Sequence, residues 1–343
     1  MRYVGMDVHK GLTRVVVFDP ASGEVQDRGE VATQWESLAT EVRAVGEETT
    51  VVLEAGRNSH FLAAHLEAAA TRVWVVDPAA LRRLVPRGTK TDARDARGLA
   101  EWAAAGKLSP LWRPSARSLA LRELTRGRRA LTKLQGQVRM QLRTLLARHG
   151  YEIGKSKDLL SVPMQAWLDE VAPKLDPFAQ EMLVLWRVLL PMVTEQLLAL
   201  EPIIAREAKG HAQACRLQTL PGVGWYLGLM LAVEIDDVTR FAGPSQLRSY
   251  SGMCPEVRQR GERRFYGPLT KRGNKYLRWA AGLAAQAASR RKDLEPRLRQ
   301  LHTRVAFKHG KNPAKMQLAR ALLTLAHHLL VKDEDYRPRP APR

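Results

Sequence analysis

An aspartate in the middle of an apolar β-run, Asp7 within Tyr3-Val4-Gly5-Met6-Asp7-Val8, limits what the first hundred residues can become. A charge in mid-strand is costly unless something compensates it, and a divalent cation is a usual compensation. Glu54 closes a second run, Val51-Val52-Leu53-Glu54. Asp92 and Asp95 sit three apart at the start of a predicted helix, within Lys90-Thr91-Asp92-Ala93-Arg94-Asp95-Ala96-Arg97. Singly, each acid has an ordinary role: Asp92 and Asp95 pairing with Arg94 and Arg97, Asp7 held by turn amides, Glu54 capping the loop before Ser59. Together, in this order, they predict a metal site. Hard oxygen donors, with no Cys or His at metal-binding spacing, point to Mg²⁺ or Mn²⁺ rather than zinc. Two such ions about 3.5–4 Å apart clamp the attacking and leaving oxygens of a phosphodiester. His9 and Lys10 suit either a phosphate contact or a plain turn, and His60 is not expected to be a ligand.

The surrounding pattern supplies a fold. Tyr3–Val8 and Thr13–Phe18 are β-rich and flank the hairpin-like break His9-Lys10-Gly11. A weaker strand is predicted over Glu24–Ala32, a helix over Trp35–Val45 and a strand over Thr50–Leu53. Then come a helix over Phe61–Ala70 with Ser59 as N-cap, a strand over Val73–Val76 and a helix over Asp92–Ala105. Three strands, helix, strand, helix, strand, helix is the order of an RNase H-like (RuvC-like) α/β domain. A Rossmann fold also alternates, but no Gly-rich phosphate loop follows the first strand.

The net charge of +20 is unevenly spread. Residues 1–110 hold 14 Lys and Arg against 15 Asp and Glu, residues 111–239 hold 17 against 13, and residues 240–343 hold 24 against 7. A basic density of that kind is the footprint of a phosphate backbone. Two cysteines, Cys215 and Cys254, lack metal spacing and fit a reducing compartment. The N-terminus enters a strand without a signal peptide. The most apolar window, Met182 to Leu200, contains Arg187, Pro191 and Glu195, so a buried or interface helix is expected and no membrane span. A cytoplasmic protein follows from these readings.

Beyond the linker Pro110–Ser115, Leu121, Leu124, Leu131, Leu134, Val138, Leu142 and Leu145 recur at helical spacings within Leu119–Arg148. A second long helix is predicted over about Phe178–Ala208. The pair reads as a helical coiled-coil or dimerisation arm, residues 111–214. From Cys215 a mostly α-helical unit is expected to run to residue 332. Its segment Leu217-Gln218-Thr219-Leu220-Pro221-Gly222-Val223-Gly224 resembles a helix–hairpin–helix turn, in which Gly222 and Gly224 let backbone N–H groups approach a phosphate. After Phe241–Tyr250 and the loop Gly252–Gly261, a basic β-like stretch leads into an Ala-rich helix opened by Thr270-Lys271-Arg272-Gly273-Asn274-Lys275. A last helix is predicted over Pro313–Val331. The tail, residues 333–343, is expected to be disordered.

Seven segments, "YVGMDVHK", "VVLEAGRNSHFLAAHL", "VWVVDPAALRRL", "KTDARDARGLAEW", "LQTLPGVGWYLGLMLAVEID", "RFAGPSQLRSYSGMCP" and "LTKRGNKYLRWA", occur in the order seen in DEDD-type insertion-sequence transposases of the IS110 family, relatives of the Piv DNA invertase. The resemblance spans nearly the whole chain. It implies a RuvC-like DEDD domain over residues 1–110, the arm, and a C-terminal transposase domain over residues 215–332. The four family acids fall on Asp7, Glu54, Asp92 and Asp95. It further implies a site-specific DNA recombinase acting on donor and target DNA through an element-encoded bridge RNA, as homodimers joining into a homotetramer.

One position departs from the family. Where its members carry a serine nucleophile in a Ser-Gly step, this chain has Arg260 before Gly261. A guanidinium stays protonated and cannot act as a nucleophile. Ser249, Ser251 and Thr270 are nearby hydroxyls at other positions, so the nucleophile is unassigned. Arg258, Arg260, Lys271, Arg272, Lys275 and Arg278 are expected to grip phosphates. Two other functions fit: a metal-dependent Holliday-junction-type nuclease, and a domesticated nucleic-acid-binding protein without catalysis.

Overall fold

The computed structural model describes residues 1–46, 48–84, 91–154, 157–261 and 263–338, which divide into two compact units, Met1–Arg113 and Pro114–Arg343. In the first, β1 (Arg2–Val8), β2 (Leu12–Asp19) and β3 (Glu24–Ala32) form an antiparallel meander. The chain continues through α1 (Trp35–Val45), β4 (Thr49–Glu54), α2 (Ser59–Leu66), β5 (Arg72–Val76), α3 (Pro78–Leu84) and α4 (Asp92–Ala104). β4 adds parallel to β1 and β5 parallel to β4, so the sheet order is β3-β2-β1-β4-β5. This mixed five-stranded sheet fits an RNase H-like fold.

Both faces of the sheet are covered. Val4, Met6, Val51 and Leu53 bury against Leu38, Val42, Leu62 and Leu66 of α1 and α2. Tyr3 and Val52 belong to the opposite cluster with Leu99 and Ala103 of α4. Because strand side chains alternate, Asp7 shares the α4 side with Tyr3 and Gly5, and Glu54 shares it with Val52. The expected N-cap Ser59 is instead the first residue of α2. Asn58 is the cap, and the Ser59 hydroxyl donates back to the Gly56 carbonyl (3.1 Å).

The second unit starts with α5 (Ala116–Arg148), which Ser115 caps through the Ser118 amide. Next come α6 (Val162–Val171) and α7 (Pro177–Lys209), whose cap Asp176 accepts from the Phe178 and Ala179 amides. α5 and α7 lie antiparallel, joined by Arg128–Glu201 (2.5 Å) and Gln135–Thr194 (2.8 Å). Val138, Leu142 and Leu146 meet Leu183 and Leu190 in a core shared with Leu168 and Val171 of α6. α7 is long and apolar enough to cross a membrane by length and composition, and 22% of its most apolar window is buried.

The helices that follow are α8 (Ala212–Gln218), α9 (Trp225–Ile235) and α10 (Pro244–Tyr250). Within the segment expected as a loop, Pro255–Arg260 forms β6 instead, and it pairs as a hairpin with β7 (Arg263–Leu269), the β-like stretch after it. α11 (Lys275–Ala288), α12 (Pro296–His309) and α13 (Lys311–Lys332) complete the unit. Residues Tyr226 to Ile235 of α9 are all buried, so α9 is the central rod. Leu121 of α5 and Ile204 of α7 enter the same core, which explains why arm and C-terminal helices form one unit.

The tail is ordered as far as it is described, contrary to the disorder expected for residues 333–343. Asp333 ion-pairs with Arg216, and the Tyr336 ring packs on the core while its hydroxyl donates to Glu295 (2.5 Å). The aromatic body buries apolar area and the hydroxyl finds an acceptor, which a composition of charge and proline conceals. Residues 339–343 lie outside the described residues.

Candidate metal centre and nucleic-acid interface

Gly5 sets the geometry of the candidate centre. A Cβ built on it would lie 1.9 Å from the Ala96 carbonyl oxygen, so the backbones of β1 and α4 touch where only glycine fits. One turn before Ala96, the start of α4 is fixed by Thr91, whose hydroxyl accepts from the Arg94 amide (3.3 Å). Two residues after Gly5, Asp7 emerges near the end of β1. The close packing therefore brings the first turn of α4 to the end of the central strand.

The structure joins Asp7 and Asp92 through a residue that the sequence left undecided. His9 Nε2 lies 3.3 Å from Asp7 Oδ2 and 3.3 Å from Asp92 Oδ2. One ligand atom from each of Asp7, His9 and Asp92 falls within 4.8 Å of the others, a spacing that suits a single cation. Asp7 is 14% exposed and Asp92 54%, so the group faces solvent on one side. The hairpin β1–β2 thus adds an imidazole to the oxygen donors that the sequence leads one to expect at this position. The imidazole's only sequence signal is adjacency to the strand end.

Glu54 and Asp95 are not part of that three-residue group. Glu54 follows Leu53, the partner of Met6 in the β1–β4 register, so it stands beside Asp7 on the neighbouring strand. Asp95 is buried in the first turn of α4. Its carboxylate gains from the partial positive charge of the helix N-terminus. Arg14, directly opposite Asp7 across the β1–β2 ladder, was not foreseen. It donates to Asp27 (2.5 Å), and this bond, above all, holds the guanidinium pKa above its ordinary value.

The basic segment of the second unit is built around close backbone contacts. Gly252 (φ +69°) and Gly273 (φ +116°) interlock: added Cβ atoms would sit 2.4 Å from the Arg272 carbonyl and 2.3 Å from the Tyr250 carbonyl. The Asn274 and Lys271 amides donate to the Tyr250 and Gly252 carbonyls (2.7 and 3.2 Å). Asn274 caps α11 through the Tyr276 and Leu277 amides and donates to Glu234 (2.7 Å), a fully buried carboxylate. Arg126 forks onto the same Glu234 (2.7 and 2.8 Å). The charge is thus compensated by hydrogen-bonded partners.

Lys271, Arg272 and Lys275 are exposed on this frame, and Arg260 is exposed at the end of β6 opposite Arg263. Arg278 turns inward and donates to the Ser251 carbonyl (2.8 Å). The Arg258 side chain lies outside the described part of the structure. Gly222 (φ +77°) has a packing reason for its missing side chain: a Cβ would be 2.2 Å from the Ala284 carbonyl of α11. Gly224 is the exposed N-cap of α9. Of the three hydroxyls near Arg260 in sequence, Ser251 is buried and donates to the Arg248 carbonyl (2.7 Å), while Ser249 is exposed. Thr270 is half-buried, 3.5 Å from the Gly252 carbonyl.

Two family models match the chain in order. One, DEDD_Tnp_IS110, described as a transposase, covers residues 4–150; the other, described as the transposase IS116/IS110/IS902 family, covers residues 214–303. The chain belongs to the IS110 family of insertion-sequence transposases. Among its relatives, the "Putative transposase y4qE" of Sinorhizobium fredii is 29% identical over 284 residues, 80% of this chain and 69% of the relative. The transposase for insertion sequence element IS1328 of Yersinia enterocolitica is 24% identical over 285 residues, 80% of this chain and 82% of the relative. The transposase for IS1111A of Coxiella burnetii is 24% identical over 258 residues, covering 73% and 69%. IS110 membership makes the protein a DNA recombinase-type enzyme by family, one that acts on DNA, and its DEDD domain suggests divalent-metal dependence.

Proposed function

We propose that this IS110 transposase cuts and rejoins DNA strands with Asp7, Glu54, Asp92 and Asp95 as its metal-holding acids, Mg²⁺ or Mn²⁺ as the ion, and His9 beside them. The observation that carries the reading is the convergence of Asp7, His9 and Asp92 atoms within 4.8 Å at the contact of β1 with α4. Carboxylates and one imidazole fit a divalent cation, and the imidazole tilts the set toward Mn²⁺. Bound there, the ion supplies Lewis-acid polarisation of the scissile phosphate and orients the attacking oxygen. His9, with its Nε2 3.3 Å from both Asp7 and Asp92, would hold the cation through that nitrogen's lone pair beside the two carboxylates. Lys271, Arg272 and Lys275 bind the DNA backbone as exposed cations.

Arg260 at the serine's position favours a second reading of the chemistry, strand hydrolysis without a covalent protein–DNA intermediate, as in Holliday-junction nucleases. A structured bridge RNA guiding the cut follows from the family pattern. A homodimer joining into a tetramer is supported by Phe178, Val188, Met192 and Leu198, all exposed along α7. The deciding experiment incubates purified protein with branched and linear DNA and either Mn²⁺ or Mg²⁺, beside an Asp7→Asn variant. Metal-dependent strand cleavage lost in the variant supports the reading. Binding with no cleavage under any ion leaves a domesticated binding protein. A melting temperature that rises with metal equally in wild type and Asp7→Asn removes the acids from the role.

A further inference from the structure

From Pro296 to Lys332 the chain carries eight Lys and Arg residues and not one Asp or Glu. That run folds into α12 and α13, which pack against each other and wall a cleft of about 1740 Å³. Arg297, Leu301, Arg304 and Lys308 of α12 line it at helical spacings of four, three and four, so one basic stripe faces inward. Arg320, Thr324, His328 and Lys332 make the facing stripe on α13. Among the described residues, Arg297, Arg304, Lys308 and Lys332 have no acidic partner. Arg320 and Arg248, which also line the cleft, each keep a buried Nε–H without an acceptor. Donors of this kind are open to an acceptor that a ligand or water brings.

The cleft is larger than the roughly 300–1,000 Å³ typical of small-ligand pockets, so a polymer suits it better. Phe307, 91% exposed on α12, also lines the cleft, an aromatic ring that no fold contact explains. A positively charged groove with an aromatic platform is the pattern that binds unpaired strands, because every base offers a face to stack. Glu295, Asp333, Glu334 and Asp335 also line the cleft, Tyr336 donating to Glu295, and these acids repel a phosphate beside them. We propose that the α12–α13 cleft binds a single-stranded nucleic-acid segment, with Arg297, Arg304, Lys308 and Arg320 on its phosphates and Phe307 under a base. The proposal rests on the recombinase reading only for the class of polymer. Most of the cleft lies beyond residue 303, where the family match ends.

The test uses the full-length protein and fluorescence anisotropy with oligo-dT, oligo-rU and a short DNA duplex. Phe307→Ala is expected to weaken both single strands about tenfold and to leave the duplex nearly unchanged. Replacing Arg304 and Lys308 together by alanine should flatten the slope of log affinity against log salt by about 0.7 per cation. A larger loss with oligo-rU assigns the groove to RNA, and a larger loss with oligo-dT assigns it to DNA. Wild-type binding that all variants match overturns the groove while leaving the recombinase reading intact. Wild type that binds none of the probes defeats both. Displacement by polyglutamate as effective as by oligonucleotide, with no effect of Phe307→Ala, makes the cleft a protein-binding face and also overturns the proposal. Equal melting temperatures for wild type and variants confirm that the surface changes leave the fold intact.

Discussion

Gly5 and Ala96 touch backbone to backbone: the carbonyl oxygen of Ala96 stands 1.9 Å from where a Gly5 side chain would begin. This contact docks α4 on β1, and it is what carries Asp92 to within reach of Asp7 and His9. Gly5→Ala must push α4 outward or distort β1, a form of overpacking that costs about 1–3 kcal/mol. Urea unfolding should register that loss, and the metal-induced rise in melting temperature should shrink with it. Unchanged stability together with an unchanged response to Mn²⁺ would mean that α4 can retreat freely, and the glycine would lose its role in building the centre.

The sheet was legible in the chain because β1, β2, β4 and β5 are continuous apolar runs, and a buried strand can be little else. β3, exposed along most of its length, was legible through its place after the hairpin. The tight group at the candidate metal centre is only half legible in the sequence. Asp7 stands out as a charge within an apolar strand and Asp92 as an acid at a helix start, whereas His9 looks like any turn residue until the hairpin folds it back. β6 reads as a loop because Arg258, Gln259 and Arg260 mask its alternation, whereas β7 keeps a β-like pattern in the sequence. The buried Glu234 carries no local signal, since its partners Arg126 and Asn274 are 108 and 40 residues away.

Glu234 provides the second prediction. With no exposed surface, it receives Arg126 and Asn274 and lies 3.6 Å from Arg122. Glu234→Ala leaves two arginines facing each other in the core, and breaking a buried pair from one side costs about 3–5 kcal/mol. Since Asn274 caps α11, DNA affinity through Lys271 and Arg272 should fall as well. Chemical denaturation gives the first effect and a duplex-binding titration the second. A variant with wild-type stability would show that water replaces the carboxylate without penalty.

At the far end of α5, His149 predicts a pH dependence. Its Nδ1 donates to the Leu145 carbonyl (2.9 Å), and its Nε2 lies 2.8 Å from Asp176, the N-cap of α7. The carbonyl first, then the carboxylate, raise the imidazole pKa, and the Ala179 amide, then His149, lower that of Asp176. A raised histidine pKa stabilises the fold below its unfolded value of about 6.5 and stops doing so as pH climbs through the folded pKa. Asp176 contributes above about 3.9 and fades as pH falls toward its folded value. The strap between α5 and α7 is therefore strongest from about pH 4 to 6.5. Protection factors for amide exchange at this end of α5 should fall above that window in wild type, and His149→Gln should remove that fall. A protection factor, the intrinsic exchange rate at each pH over the observed one, that stays flat with pH in wild type would refute the assignment.

Arg260 supplies the last prediction. It ends β6 at the turn before Gly261, exposed and opposite Arg263 in the hairpin. A guanidinium there attracts the phosphodiester but cannot attack it, since it gives up no proton at working pH. Wild type should therefore form no denaturation-resistant DNA adduct through this hairpin. Arg260→Ser returns a hydroxyl at the cost of one phosphate contact, so binding should weaken modestly and the salt slope should fall by about 0.9 on duplex DNA. If the four acids and their ion are intact, an adduct should then appear on denaturing gels in the variant alone, in the presence of divalent metal. Ser251 is a poor substitute, because it is buried and its hydroxyl is engaged by the Arg248 carbonyl. A wild-type adduct mapped by mass spectrometry to Ser249 or Thr270 would place the nucleophile elsewhere, and the hydrolytic reading would fall with it.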